Sequence, residues 1–379
     1  MKKILLLGPR SKKYVTGVSL AFDLLIRGLE DKKIEFRAID ILGGGNTKKS
    51  GAFSLHRAWV VLKAIAQTWI KLPYCSEFYA IMSTSRLGFF RDFFTTPVAK
   101  FFGKKTILHL HGGGFEQFYL GSTSWLKFLI RHNLKQADKI IVLGGLLKKQ
   151  FYCAGEFVKE KLVVVPNGLT QGVCEPSANT KSLHSSDKVE LIYLSSLMKT
   201  KGYLDVINSI ELLNQQSTKK YHLNLCGAFV NAITEGELEL SNEEELRAFI
   251  REKNLTESIT YHGQVVGIEK ELLLKKSHIF LLPSYYPWEG QPLSIIEAMA
   301  YNTPIISCFH KGIPEMLEDG GNGYFVSSKS PSDIADKVEK ICKNPEHYAR
   351  MSKYSRKKYE VNFNREVHLN RLISEIISD

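Results

Sequence analysis

Two glutamates eight residues apart, Glu289 and Glu297, enclose Gly290-Gln291-Pro292 within the stretch HIFLLPSYYPWEGQPLSIIEAMA at 278–300. The apolar run from His278 to Leu282 reads as a strand of a parallel sheet, and Pro283 to Gln291 cannot be regular. Pro292 then predicts the first residue of a helix that ends at Thr303-Pro304. Such a strand–loop–helix suits an anion. Gly290 and Gln291 allow the backbone to bend round a ligand, and the unpaired amides of Leu293 and Ser294 face outward at the positive end of the helix dipole. Glu297 falls roughly 7.5 Å along the helix axis. Carboxylates beside a phosphate repel it unless each holds a neutral polyol, and that combination describes a nucleotide sugar. One carboxylate takes the ribose hydroxyls and the other those of the sugar, at roughly 1.5–3 kcal/mol per charge-assisted hydrogen bond.

The elements that must position these groups come in two sets. A chain of 379 residues exceeds what one core usually serves, so two domains are expected. Over 1–170 the apolar runs KILLL, IEFRAI, FYAIM, TILHL, KIIVL and LVVV alternate with helical patterns; ELIYLSS, HLNLCG, SITYHG, HIFLLP and PIISC repeat the alternation in the second half. Both halves predict βαβ units and a doubly wound parallel sheet. The polar stretch 173–188 reads as the linker between an N-terminal domain at 1–172 and a C-terminal domain at 189–355, with 356–379 as a terminal helical segment. MKKILLL reads as the first strand and not as a signal peptide, because Pro, Arg and Lys follow almost at once. No run reaches the ~18 apolar residues of a membrane span. The cysteines at 75, 153, 174, 226, 308 and 342 lack disulfide-framework or metal-ligand spacing, which suits a reduced cytoplasm. GGGNTKKS at 43–50 is no P-loop, since Lys48 stands where that motif needs glycine.

Further candidates flank the same chemistry. Gly17 precedes an amphipathic helix and permits close approach of a ligand to its N-terminus. His111 follows the strand TILHL at the carboxyl end of a parallel sheet, where such sheets place ligands, and His109 shares its sheet face. Lys199 and Lys201 end one strand and open a helix. A departing nucleoside diphosphate leaves negative charge that a nearby cation and helix-terminal amides stabilise. It leaves without protonation, so the absence of an obvious acid favours a transferase over a hydrolase.

EGQPLSIIE matches the E-x7-E motif of retaining glycosyltransferases of the GT-B fold, and its continuation EAMAYNTPIIS resembles glycosyltransferase family 4. HLHGGGF (109–115), ADKIIVLG (137–144), VVVPNGL (163–169), LSSLMKTKG (194–202), YHGQV (261–265) and KGIPEML (311–317) follow in the family's order. The resemblance implies two Rossmann-like domains facing across a cleft, the second binding the donor, with the terminal helix returning to the first. It makes His111 the active-site histidine, Gly17 the loop that meets the diphosphate and Lys201 its lysine in G-R-x-x-x-x-K-G, where Ser196 replaces the arginine. Lys199 is then the candidate for a second positive charge. Val265 falls where the nucleobase is held by backbone contacts. Retention of configuration and no essential metal are implied, since the D-x-D site of the other common fold is missing. His111, Glu289 and Lys201 are the expected catalytic groups.

Charge suggests where the acceptor is met. Residues 1–170 carry 27 Lys/Arg and 11 Asp/Glu, net +16, against 24 and 28, net −4, in the rest. Basic residues interleave with aromatics at 56–71 and 88–105, a pattern suited to an anionic membrane surface. Phe89, Phe93, Phe94 and Phe101 are equally readable as core. No nucleic-acid motif accompanies the charge. The expectation is a cytoplasmic enzyme peripheral to the inner face of the membrane, acting on a lipid-linked glycan of surface-polysaccharide assembly. The alternatives are a soluble transferase onto a small acceptor, a nucleotide-sugar epimerase and an inactive glycan-binding subunit.

Overall fold

The computed structural model describes residues 3–11, 15–42, 55–169, 181–183, 188–217, 219–230 and 240–377. Most of the predicted linker 173–188, and the 43–50 loop, lie outside them. The chain divides into two compact units, Met1–Gln171 with Asn362–Asp379, and Gly172–Val361.

The first unit runs β1 (Ile4–Gly8), α1 (Gly17–Asp31), β2 (Phe36–Asp40), α2 (Leu55–Lys71), β3 (Glu77–Ile81), α3 (Arg86–Phe101), β4 (Lys105–Leu110), α4 (Phe115–Leu120), α5 (Ser124–Gln136), β5 (Lys139–Val142) and β6 (Leu162–Val164). Its strands form one parallel sheet in the order β2-β1-β3-β4-β5-β6. The continuous apolar runs are explained by helices on both faces. Leu5 and Leu7 of β1 pack with Ala64, Phe89, Leu126 and Ile130 from α2, α3 and α5. Ile4 and Leu6 point the other way, to Leu25 and Leu29 of α1 and to Leu369, Leu372, Ile373 and Ile376 of the last helix, Arg365–Ile377. The side-chain period of two thus feeds two cores from one strand.

The second unit runs β7 (Lys188–Leu194), α6 (Tyr203–Gln216), β8 (Lys220–Cys226), α7 (Glu243–Glu252), β9 (Ile259–Gly263), α8 (Gly267–Lys276), β10 (Ile279–Leu282), α9 (Leu293–Ala300), β11 (Ile305–Cys308), β12 (Gly323–Val326), α10 (Pro331–Cys342) and α11 (Pro345–Asn362). The sheet order is β12-β11-β10-β7-β8-β9, all parallel. Chain order reverses between β7 and β10, and such a switch point opens a crevice beyond the carboxyl ends of the strands. Both units are therefore doubly wound, as expected. β12 has no counterpart among the predicted strands. The boundary before the last helix, α12, also differs: residues 356–361 belong to α11 in the second unit, and the first unit resumes at Asn362. Among the described residues no helix is long and apolar enough to cross a membrane.

Candidate active site

The loops after β7 and β10 meet at the switch point of the second unit. Gly202 turns the first loop at φ +78°, and a Cβ there would lie 2.6 Å from Pro283 O. A residue without a side chain is needed for both reasons. Tyr285 N–H donates to Thr200 O at 2.8 Å and ties the loops together. Lys201 Nζ then donates to Glu289 Oε2 at 2.6 Å, with side chains only 13% and 6% exposed. Ser284 Oγ donates to the same oxygen at 2.6 Å, and Oε1 takes no part in either bond. The Lys201 ammonium also lies 4.7 Å from the centre of the Tyr286 ring, and the backbone carbonyl of Tyr286 accepts from His310 Nε2–H at 2.8 Å.

Past this pair the chain enters α9. Pro292, predicted as the first helical residue, stands one place earlier at the N-cap, and Leu293 opens the helix. Ile295 N–H to Pro292 O, 3.2 Å, is the first bond of the turn, so the amides of Leu293 and Ser294 precede the ladder. No side chain caps this end and no acidic residue lies in the first turn. An anion meets amides there without a competing carboxylate cap. Gly290 and Gln291 are buried in the approach.

Glu297 projects from the middle of α9 and accepts from Lys270 Nζ of α8 at 2.5 Å. Lys270 was not among the sequence candidates, because 27 residues separate it from its partner and no local spacing marks it. Val265 is buried just before α8, between β9 and that helix. Lys270 thus joins α8, the helix that follows Val265, to α9.

The Ser196 carbonyl accepts from Tyr193 Oη and from Met198 N–H, both at 3.0 Å, which fixes the β7 loop. The Lys199 charge, with that of Lys329, opposes the burial that raises the pKa of Asp205 in α6.

In the first unit His111 is the residue after β4. Its ring stacks on that of His109, with centroids 3.9 Å apart and planes 29° apart, both side chains standing on one face of the sheet. Tyr79 Oη lies 2.6 Å from His109 Nδ1. From α12, His368 donates its Nδ1–H to Pro166 O at 2.6 Å. Gly168 makes room, since a Cβ there would lie 2.4 Å from His368 Cβ. Burial lowers the His111 pKa to about 3; His368 adds to the shift and a hydrogen bond with Asn167 opposes it. The imidazole is neutral, and its Nε2 is buried without a hydrogen-bond partner. Such an atom can serve a ligand hydroxyl. Asn167 lies in the motif VVVPNGL, the one signal that could have marked it.

Gly17 is the exposed first residue of α1. Thr16 caps that helix: its Oγ1 accepts Ser19 N–H at 3.1 Å, and its own N–H donates to Ser19 Oγ at 2.9 Å. The structure therefore brings Lys201, Glu289 and the start of α9 together, with Glu297, Val265 and Lys270 as a second group in the same unit. His111 and Gly17 belong to the first unit.

The fold is that of the GT-B class, two doubly wound α/β units in one chain. Anabaena HepE, solved in complex with UDP, shares it over 100% of both chains with a TM-score of 0.73 at 15% identity. Residues 176–358, nearly the whole second unit, match the family model for glycosyl transferases group 1. A protein of Escherichia coli strain K12 named as a colanic acid biosynthesis glycosyltransferase, WcaL, is 26% identical over 50% of this chain and 45% of its own length. The amylovoran biosynthesis glycosyltransferase AmsK of Erwinia amylovora is 26% identical over 50% of this chain and 44% of its own. The matched stretch thus spans under half of either relative.

Proposed function

We propose that the chain is a retaining hexosyltransferase of glycosyltransferase family 4, moving a sugar from a nucleoside-diphosphate sugar to a hydroxyl of a lipid-linked glycan in bacterial surface-polysaccharide assembly. The observation that carries this is the buried Lys201–Glu289 pair at the switch point, in front of the uncapped start of α9. The diphosphate lies against the amides of Leu293 and Ser294, and Lys201 neutralises its terminal phosphate as the sugar departs. Ser284 and Lys201 hold Glu289 through Oε2, so Oε1 is presented to a sugar hydroxyl. Lys270 holds Glu297 in the same manner for the ribose, and Val265 borders the base. Neutral His111 serves a hydroxyl at the reacting end. With retention, the leaving phosphate oxygen takes the acceptor's proton on the face of departure, and no metal is needed. The relatives named for colanic acid and amylovoran biosynthesis support the polysaccharide assignment. The basic, aromatic surface of the first unit supports a peripheral site on the cytoplasmic face of the membrane.

A thermal-shift panel of UDP, GDP, ADP, CMP and their common sugar conjugates, with and without EDTA, tests the donor. Ligand at 100 times its Kd stabilises the folded state by about 2.7 kcal/mol. One nucleoside diphosphate is expected to raise the melting temperature regardless of EDTA. A flat panel overturns the transferase assignment in favour of a silent glycan-binding subunit, with Ser196 in place of the arginine as the first suspect. Release of free nucleoside diphosphate without any acceptor marks an epimerase instead.

A further inference from the structure

α2 packs on α3, and α3 on α5, over one face of the first unit's sheet. Outwardly this layer carries Trp59, Leu62, Ile70, Phe101, Trp125 and Phe128, each at least 60% exposed. The α3 aromatics, readable from sequence either as core or as outward-facing, divide between the two: Phe89 is core and Phe93 half-buried, while Phe94 and Phe101 face outward. Across all three helices the one acidic side chain is Asp92, which is buried and bonded to Arg91 at 2.5 Å. No carboxylate on these helices thus faces outward to offset their cations.

Beside α5 lies a groove of about 510 Å³, lined by Lys127, Arg131 and Lys135 together with Tyr119, Phe128 and His132. The three cations stand at i, i+4 and i+8, one row on the helix, where like charges repel. Among the described residues none of them forms an ion pair. Lys127 lies 5.8 Å over the Tyr119 ring and Lys135 5.5 Å over that of Phe157. Phe128 and Trp125 continue the outward face directly beyond the cation row. A free phosphate satisfies the row and leaves these rings in water. An anionic membrane surface satisfies both, because phosphate and the acyl boundary lie a few ångströms apart.

We infer that the α5 groove takes the headgroup phosphate of an anionic phospholipid, with Trp125 and Phe128 set into the bilayer interface beside it. This deepens the membrane-associated part of the proposed function and rests on it, but it uses no residue of the donor site.

The test is co-sedimentation of the full chain with vesicles of phosphatidylcholine alone and of phosphatidylcholine mixed with phosphatidylglycerol. The chain is expected to partition onto the mixed vesicles only. Lys127→Gln/Arg131→Gln/Lys135→Gln should lower that partition roughly 100-fold, at about fivefold per basic residue. Trp125→Ser/Phe128→Ser should lower it while leaving the salt dependence in place. Arg27→Gln/Lys32→Gln/Lys33→Gln removes three exposed charges from α1 and the turn after it, on the opposite face of the sheet, and should partition as the parent does. Equal losses in the two triple variants overturn the groove in favour of net charge alone. Saturable calorimetric binding of inorganic pyrophosphate with no vesicle partition overturns it in favour of a soluble anion. Nucleotide-induced thermal shifts measured on the same variants keep the donor question separate, since they should be unchanged whichever way partition falls.

Discussion

Replacing Lys201 by Met separates two roles that meet in one ammonium. The Lys201–Glu289 pair is 13% and 6% exposed, and removing one partner of a buried pair costs about 3–5 kcal/mol. The Ser284 hydroxyl still bonds Glu289 Oε2, so the lower end, about 3 kcal/mol, applies. For a unit of this size each kcal/mol moves the melting temperature by about 2–4 °C, giving a fall of roughly 6–12 °C. Donor binding loses a charge-assisted hydrogen bond of about 1.5–3 kcal/mol, or roughly 10- to 150-fold in affinity for the nucleoside diphosphate. The nucleoside alone should bind nearly as before. Adding Glu289→Gln removes the stranded carboxylate, and the double variant should regain most of the melting temperature without regaining diphosphate affinity. Calorimetry and thermal melts on the four proteins complete the cycle. Equal losses for nucleoside and nucleoside diphosphate would refute the phosphate role, and an unshifted melting temperature in the single variant would refute the pairing.

Glu297→Ala should weaken nucleotide binding by about tenfold through the lost ribose contact; Lys270→Ala, which keeps the carboxylate but frees it, should weaken it less. Unchanged nucleotide affinity in Glu297→Ala contradicts the assignment. His111→Ala should reduce turnover with the identified donor far more than donor affinity, and a fully active variant would return His111 to a purely structural role. His111 and His368 titrate at about 3 and about 4 in the fold, below the ordinary 6.5, so the unfolded chain takes up protons first as pH falls. Stability of the first unit is therefore intact above pH ~6.5 and is lost progressively toward about pH 3–4, with these two groups steepening the slope by up to about 2.7 kcal/mol per pH unit. His368→Asn should remove about half of that contribution in urea melts, and an unchanged slope would show that the cluster is not responsible.

The parallel strands were legible because each is a short apolar run between turn signals, from KILLL to PIISC. β12 was not: GYFV sits directly past Gly320, Gly321 and Asn322, where the turn signals mark the whole stretch as loop. Glu289 and Glu297 could be found from their spacing round a helix start, a local property. Lys270 and His368 could not, because each meets its partner only once the sheet order is set; Ser284 stands only five residues before Glu289 in the same loop, where no regular period marks the contact. Lys199 and Lys201 look alike in sequence, yet it is Lys201 that reaches Glu289, 88 residues away, a pairing no local spacing reveals. The aromatics of α3 split between core and surface for a similar reason: a helical period shows that faces exist, but only the neighbours show which face is covered.

The return of α12 to the first unit has a consequence for how the molecule is made. Leu369, Leu372, Ile373 and Ile376 fill the core on one side of the first sheet, and four such side chains contribute about 6–12 kcal/mol. That is comparable to the whole net stability of a domain. During synthesis, residues 1–171 leave the ribosome first but lack this helix until residues 365–377 are added, whereas 172–361 are complete in themselves. The second unit to be translated is thus the first able to finish folding, and the earlier half waits with the core between its sheet and α1, including Ile4, Leu6 and Leu25, lacking the α12 side chains. A nascent chain stopped at Val361 would hold a finished second unit and an unfinished first, a ready substrate for chaperones.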